Sequence, residues 1–276
     1  MRLFISSDME GTAGIVDWSQ CRGPGSSYET GCELLLGEVL AAIEGAVAAG
    51  VGEVLLNDSH GAMANLPPGR LPANTSYSSG RHKPLYMMER LDGSFDAVFF
   101  VSYHGSMGSN GVLSHTYNPR AVGEVRLNGI VTGEAGINGL VAVGHEVPVA
   151  LITGDQVTLE EAEPFFPDLV GVKVKEAVTR FSAESLHPER ARKAIAEGAR
   201  QAIERVRAGE IRPPRIELPA TLEVSFLTAD MAELCEPLRG ARRRSSRTIA
   251  LTDDDPLRLF RTFTTAIALT RAIAEL

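Results

Sequence analysis

Hydrophobic residues gather in four short runs, at residues 3–7, 54–56, 97–102 and 147–153, and most of these lack the polar alternation of a half-exposed strand. Runs of that kind suit strands buried on both faces, which implies a parallel sheet covered by helices. Between the first two runs, residues 28–49 carry apolar positions at helical spacing, with Gly50 where a C-terminal cap belongs, so the unit is predicted as strand, helix, strand. Residues 135–143 predict a second helix ahead of the fourth strand. The repeated alternation indicates the α/β class.

After about residue 166 the pattern changes. Stretches 170–178 and 222–227 read as strands, 188–208 as a charged amphipathic helix opened by Pro188, and 256–276 as a closing helix. Residues 212–219 hold three prolines and so belong to a connection or a sheet edge. The expected architecture is a three-layer α/β/α domain with a mostly parallel sheet over residues 1–165, carrying the chemistry. A smaller α+β domain over residues 166–276 is expected to support oligomerisation.

Composition adds exclusions. The chain has 276 residues, 44% of them hydrophobic, enough for a sizeable core. A net charge of −8 disfavours nucleic acid and anionic membranes as partners, because the overall field repels polyanions. Cys21, Cys32 and Cys235 are widely spaced with no C-x-x-C pair, which suggests reduced thiols and neither a disulfide framework nor a cysteine zinc site. The N-terminal run meets a carboxylate at Asp8, too early for a signal-peptide apolar region, and the expected location is the cytoplasm.

Chemistry collects where the strands end. The first run leads into Ser7-Asp8-Met9-Glu10-Gly11, the second into Asn57-Asp58-Ser59-His60-Gly61, and the third into Ser102-Tyr103-His104-Gly105. Ligands of open parallel sheets bind outside the carboxyl ends of the strands, so three strands deliver carboxylate and imidazole groups to one edge. Taken singly, each has a bland explanation as a turn, cap or loop residue. Their joint placement is what points to a metal site. Nitrogen with oxygen ligands suits zinc, and also manganese, cobalt or iron, and two histidines with several acids suffice for two ions. Glu134, at the start of the second helix, is a further ligand candidate, or simply an acid that complements the helix dipole. Asp58 either orients His60 or caps its own turn.

Other chemistries lack their marks: the sequence has no G-x-S-x-G elbow, no phosphate loop and no G-x-G-x-x-G after the first strand. His145-Glu146 lacks the second histidine of a helical zinc motif and reads as a surface turn. Arg242, Arg243, Arg244 and Arg247 form a basic patch that reads as a solvated loop.

With these residues in view, the sequence resembles the D-aminopeptidase family of dinuclear zinc peptidases. The marks are Ser7-Asp8-Met9-Glu10-Gly11, Asn57-Asp58-Ser59-His60, Tyr103-His104, Ser114-His115 and Gly133-Glu134-Ala135-Gly136-Ile137-Asn138, in that order. The resemblance implies two zinc ions per subunit bridged by Asp8, with Glu10 and His60 completing one site and His104 and Glu134 the other. It raises His115 from an ordinary loop histidine to a catalytic residue in substrate binding or proton transfer. It also implies hydrolysis of short peptides or amides with an N-terminal D-amino acid, and a ring-like decamer. Two further functions share these residues: another metal-dependent amidohydrolase or phosphoesterase, and a non-enzymatic metal-bound peptide-binding protein.

Overall fold

The computed structural model describes residues 1–275. Its larger sheet has seven strands: β1 (Arg2–Ser7), β2 (Glu53–Asp58), β3 (Thr75–Ser78), β4 (Ala97–Val101), β7 (Val149–Asp155), β8 (Val170–Thr179) and β9 (Ser182–Ser185). They lie in the order β3-β2-β1-β4-β7-β8-β9, and every pair is parallel except β8 with the antiparallel edge strand β9. A second, five-stranded antiparallel sheet runs β11-β12-β10-β5-β6, from β5 (Val122–Leu127), β6 (Ile130–Val131), β10 (Ala220–Phe226), β11 (Ala241–Arg243) and β12 (Thr248–Asp253).

Alternation along the strands assigns the two faces of the larger sheet. Leu3 and Ile5 of β1, with Val54, Leu56, Ala97 and Phe99, pack against α1 (Ser26–Ala48) and α4 (Pro188–Arg207). Phe4, Val98 and Phe100 point the other way, into a core shared with α2 (Glu134–Gly144), the smaller sheet, α5 (Ala229–Cys235) and α6 (Pro256–Ala274). A short α3 (Gln156–Ala162) follows β7, capped by the Asp155 carboxylate on the Thr158 amide. The strands read from the sequence as buried on both faces are so, because each is covered from both sides.

Helix ends follow their signals. At the end of α1, Gly50 takes a φ of +94°, the Val51 amide donates to the Ala46 carbonyl and the Gly50 amide to Val47, which is a Schellman closure. Pro188 and Pro256 stand in the first turns of α4 and α6. The expected last residue of the closing helix, Leu276, lies outside the described residues.

Sheet membership does not change at residue 165. Strand β8 continues the parallel sheet beside β7, while β5 from the first half pairs with β10 in the smaller sheet and carries β6 on its other side. Strand β8 lies one in from the edge, and its burial alternates over residues 170–174, as for a strand with one exposed face. The strand order reverses at β1, with β2 and β3 on one side and β4 and β7 on the other, so the carboxyl ends of β1 and β4 bound a crevice.

Candidate metal centre

Asp8 through Gly11 leave β1 beside the end of β4: the Asp8 amide donates to Val101 O and the Gly11 amide to Ser102 O. Only glycine fits at position 11, since a Cβ there would sit 1.8 Å from the Tyr103 carbonyl. A buried lysine fixes the turn from the other side: Lys175 of β8 donates to the carbonyls of Glu10, Thr12 and Ile15. Glu38 of α1 accepts from the Ala13 amide and the Ser102 hydroxyl, tying the loops after β1 and β4 to one side chain. Lys83 does the same after β2, donating to Asn57 Oδ1 and to the carbonyls of Asp58 and Ser78.

These loops bring Asp8, Glu10, His60, His104, His115 and Glu134 into one buried cluster. His60 Nδ1 lies 3.2 Å from Asp8 Oδ1 and 3.0 Å from Glu10 Oε2, and His104 Nε2 lies 3.2 Å from Asp8 Oδ2 and 3.8 Å from Glu134 Oε1. Asp8 therefore stands between the two histidines, with Glu10 on one side and Glu134 on the other. His115 reaches the Glu134 side, its Nε2 4.0 Å from Glu134 Oε1, and its ring stacks on His104 with centroids 4.3 Å apart and planes 7° from parallel. The Tyr117 amide donates to Glu134 Oε1.

Each histidine directs one ring nitrogen at a backbone carbonyl: His60 Nε2 at Cys21, His104 Nδ1 at Gly105 and His115 Nδ1 at Leu113, at 2.8–3.0 Å. A carbonyl accepts only, so those nitrogens carry the hydrogens, and the opposite nitrogens face the carboxylates. A bare lone pair cannot face a carboxylate oxygen at 3.0–3.2 Å without either a proton or a cation between them. The same need appears in the unpartnered buried atoms, which include Asp8 Oδ2, Glu10 Oε2 and His104 Nε2. Three buried carboxylates with imidazole nitrogens turned toward them fit a zinc-type cation, and the carbonyl partners are the outer contacts that metal-binding histidines use. Asp8, Glu10 and His104 present ligand atoms within 4.8 Å of one another, as do His104, His115 and Glu134.

Without metal, protons take the cations' place. Burial favours the neutral ring of His60, but the charge of Glu10 and the hydrogen bonds of Asp8 and Glu10 outweigh it and raise its pKa well above the usual value. His104 is raised to about 10 against burial, by its hydrogen bond to Asp8 and that carboxylate's charge. Burial likewise opposes ionisation of Asp8, yet hydrogen bonds from His104 and His60 hold it below the ordinary carboxylate range. Glu134 goes the other way, to about 7, because burial exceeds the pull of His104. Burial and the neighbouring His104 charge drive His115 down to about 3.

Asp58 does not touch His60. It accepts from the amides of Asn65 and Leu66, the Asn65 side chain and the Tyr77 hydroxyl, and so shapes the loop that carries His60. His145 and Glu146 form the turn after α2. Sequence patterns missed Lys175 and Glu38, whose only signal is a charged residue inside an otherwise core-forming element, and Lys83, which lies in the loop after β3.

The cluster opens onto a cleft of about 490 Å³ whose walls include Trp18, Tyr86, Tyr117 and several arginines. No described helix is long and apolar enough to cross a membrane. A family model described as D-aminopeptidase matches residues 1–265. A D-aminopeptidase of Bacillus subtilis (strain 168) is 31% identical over 248 residues, 90% of this chain and 89% of that one. A solved structure described as a zinc-dependent D-aminopeptidase, DppA from Bacillus subtilis, a self-compartmentalizing protease, is similar at a TM-score of 0.91. It shares 28% sequence identity over 98% of this chain and 97% of that chain.

Proposed function

The chain belongs to the D-aminopeptidase family, and from that premise we propose that it is a cytoplasmic, self-assembling aminopeptidase that removes an N-terminal D-residue from short peptides using two zinc ions. The observation that carries the reading is the buried carboxylate set divided between two histidines, with Asp8 shared. Asp8 would be shared between the ions, with Glu10 and His60 as the further ligands of one and His104 and Glu134 of the other. The decameric assembly and the D-selectivity rest on the kinship.

Zinc bound there would lower the pKa of a coordinated water and polarise the scissile carbonyl. The protein's own groups supply the proton path. His115 enters neutral, because burial disfavours the imidazolium, and its Nδ1 hydrogen is committed to Leu113 O. Its Nε2 is therefore an acceptor: it takes a proton during attack on the carbonyl and returns it to the leaving amine. The Tyr117 amide steadies Glu134 beside it.

Hydrolysis of D-alanyl and L-alanyl dipeptides, with and without added zinc, tests the reading. Zinc-dependent cleavage of the D-substrate, with the L-substrate at least tenfold slower, is expected. Equal rates on both would remove the stereochemical half, and zinc-independent cleavage the metal half.

A pH dependence follows from the protonated histidines. Their folded pKa values are raised, so at neutral pH the metal-free protein holds a proton on each, and zinc must displace them. Zinc affinity should rise at least tenfold per pH unit between pH 6 and 8, each histidine giving up one proton and Glu134, near 7, part of another. Chelator competition across that range, with calorimetry in buffers of different ionisation enthalpy, reads the slope and the released protons. An affinity independent of pH would exclude the exchange.

A further inference from the structure

Strand β8 grips the centre twice. Lys175 holds the loop of Glu10, and further along, at the turn into β9, Arg180 holds the loop of His115. The Arg180 carbonyl accepts from the Leu113 amide at 2.8 Å, and its Nε donates to the Ser114 carbonyl at 3.2 Å. Between the two peptide units held in this way lies a third, whose Leu113 carbonyl takes the hydrogen of His115 Nδ1 at 3.0 Å. The same loop has left-handed residues on both sides of the histidine, Leu113 with a φ of +50° and Tyr117 with +57°. A residue with a side chain keeps that conformation only where its surroundings enforce it. The turn that carries Arg180 is itself anchored: the Gln156 side-chain amide makes two hydrogen bonds with the Ala177 backbone, and the Ser185 hydroxyl accepts from the Gly14 amide. The Arg180 guanidinium also lies 6.0 Å from the centre of the Trp18 ring, which meets His115 edge-on.

The structure assigns Arg180 as a positioning residue for His115: its Nε, through the Ser114 carbonyl, keeps the peptide ahead of the histidine in the orientation that turns the imidazole Nε2 toward Glu134 and the cleft. The assignment rests on the aminopeptidase reading and deepens it by naming what holds the group that moves the proton. Arg180 is not among the residues that line the cleft, so its influence on the reaction passes through the loop. A base works only within hydrogen-bonding reach of its proton, and a displacement on the order of 1 Å can cost about 10²-fold in rate. A guanidinium stays charged and donates a charge-assisted hydrogen bond, stronger than one from a neutral group. Of the two contacts, the side-chain one can be removed by substitution, because the carbonyl belongs to the backbone and stays.

The test uses Arg180→Met, which keeps an apolar stem and loses the donor, and Arg180→Lys, which restores a cationic donor at similar reach. On zinc-loaded protein with a D-alanyl dipeptide, Arg180→Met should lower kcat by about 10- to 100-fold, with KM within about twofold and zinc content unchanged. Arg180→Lys should regain most of that loss. In a His115→Ala background the Arg180→Met change should cost less than about twofold, because a residue that acts through His115 then has nothing to position. In metal-free protein, NMR of the imidazole should show the His115 Nδ1 hydrogen exchanging with solvent about tenfold faster or more in Arg180→Met than in wild type. An unchanged kcat, an equal loss with and without His115, a loss of zinc, or ring-hydrogen exchange unaffected by Arg180→Met overturns the assignment and leaves the aminopeptidase reading standing. No cleavage by zinc-loaded wild type overturns the aminopeptidase reading instead, and the exchange rate in metal-free protein then decides by itself whether Arg180 holds the imidazole.

Discussion

Asp8→Asn is expected to strip zinc from both sites and to lower turnover on a D-alanyl dipeptide by on the order of 10³-fold or more. A loss of that size corresponds to several kcal/mol of transition-state stabilisation supplied by metal. The substitution is close to isosteric, and an amide oxygen can still accept from the Met9 amide, which donates to Asp8 Oδ1. What it removes is charge at the carboxylate that, among the described residues, lies within 3.2 Å of both His60 and His104. Loss at Glu10 or Glu134 should weaken one site and spare the other, whereas loss at Asp8 should weaken both. Elemental analysis of purified protein, with kcat on the same sample, reads this directly. Full zinc content in Asp8→Asn would sink the bridging role. A second readout needs no metal: without the Asp8 charge, the pKa of His104 should fall from about 10 toward the ordinary value near 6.5. Titration of the imidazole signals of metal-free protein by NMR follows that shift, and a His104 pKa unchanged by the substitution would show that Asp8 does not govern it.

Much of this centre is legible in the sequence because parallel sheets impose it. A strand that starts with a buried apolar run and ends in Asp, Glu or His followed by glycine has its polar group at the carboxyl edge, and β1, β2 and β4 are neighbours around the point where strand order reverses. Glu134 and His115 are less legible. Glu134 opens α2, where an acid is ordinary, and His115 sits in a loop between the two sheets with no periodic pattern around it. Their motifs, not their local chemistry, single them out. The supports are less legible again. Lys175 comes from β8, 165 residues beyond the Glu10 carbonyl it holds, and nothing in an alternating strand announces that one lysine turns inward. Burial favours the neutral amine and brings its pKa down to about 8, and three carbonyl acceptors offset part of that cost by binding the ammonium. Sequence periodicity gives the face a side chain occupies; it does not give the loop waiting there. The same limit applies to β5, whose partner strand β10 lies about a hundred positions later and pairs through a register no local pattern encodes.

His115→Ala is expected to keep its zinc and lose turnover by about 10²- to 10³-fold, with KM little changed, as for removal of a group that transfers a proton only during reaction. The rival role is that of a ligand, since His115, His104 and Glu134 present ligand atoms close together. Ring geometry decides between them. Zinc binds an imidazole nitrogen close to the ring plane at about 2.0–2.1 Å. The His104 and His115 rings are stacked within 7° of parallel at 4.3 Å between centroids, and contact keeps stacked planes roughly 3.5 Å apart. The two stacked rings would therefore not both hold one ion, and His104 would be the ligand with His115 its neighbour. Coordination number would agree: with Asp8, His104 and Glu134 as the proposed ligands, a fourth protein ligand would close the position that a catalytic ion keeps open. The Trp18 ring meets the His115 ring edge-on at 5.3 Å, which holds the imidazole in this stack and leaves Nε2 toward Glu134 and the cleft. Zinc content measured on His115→Ala separates the two roles. If zinc falls by one ion per chain in parallel with activity, His115 is a ligand and the stacked geometry does not persist when metal binds. If zinc stays and only kcat falls, the base is His115, and small exogenous imidazoles admitted to the vacated space should restore part of the rate.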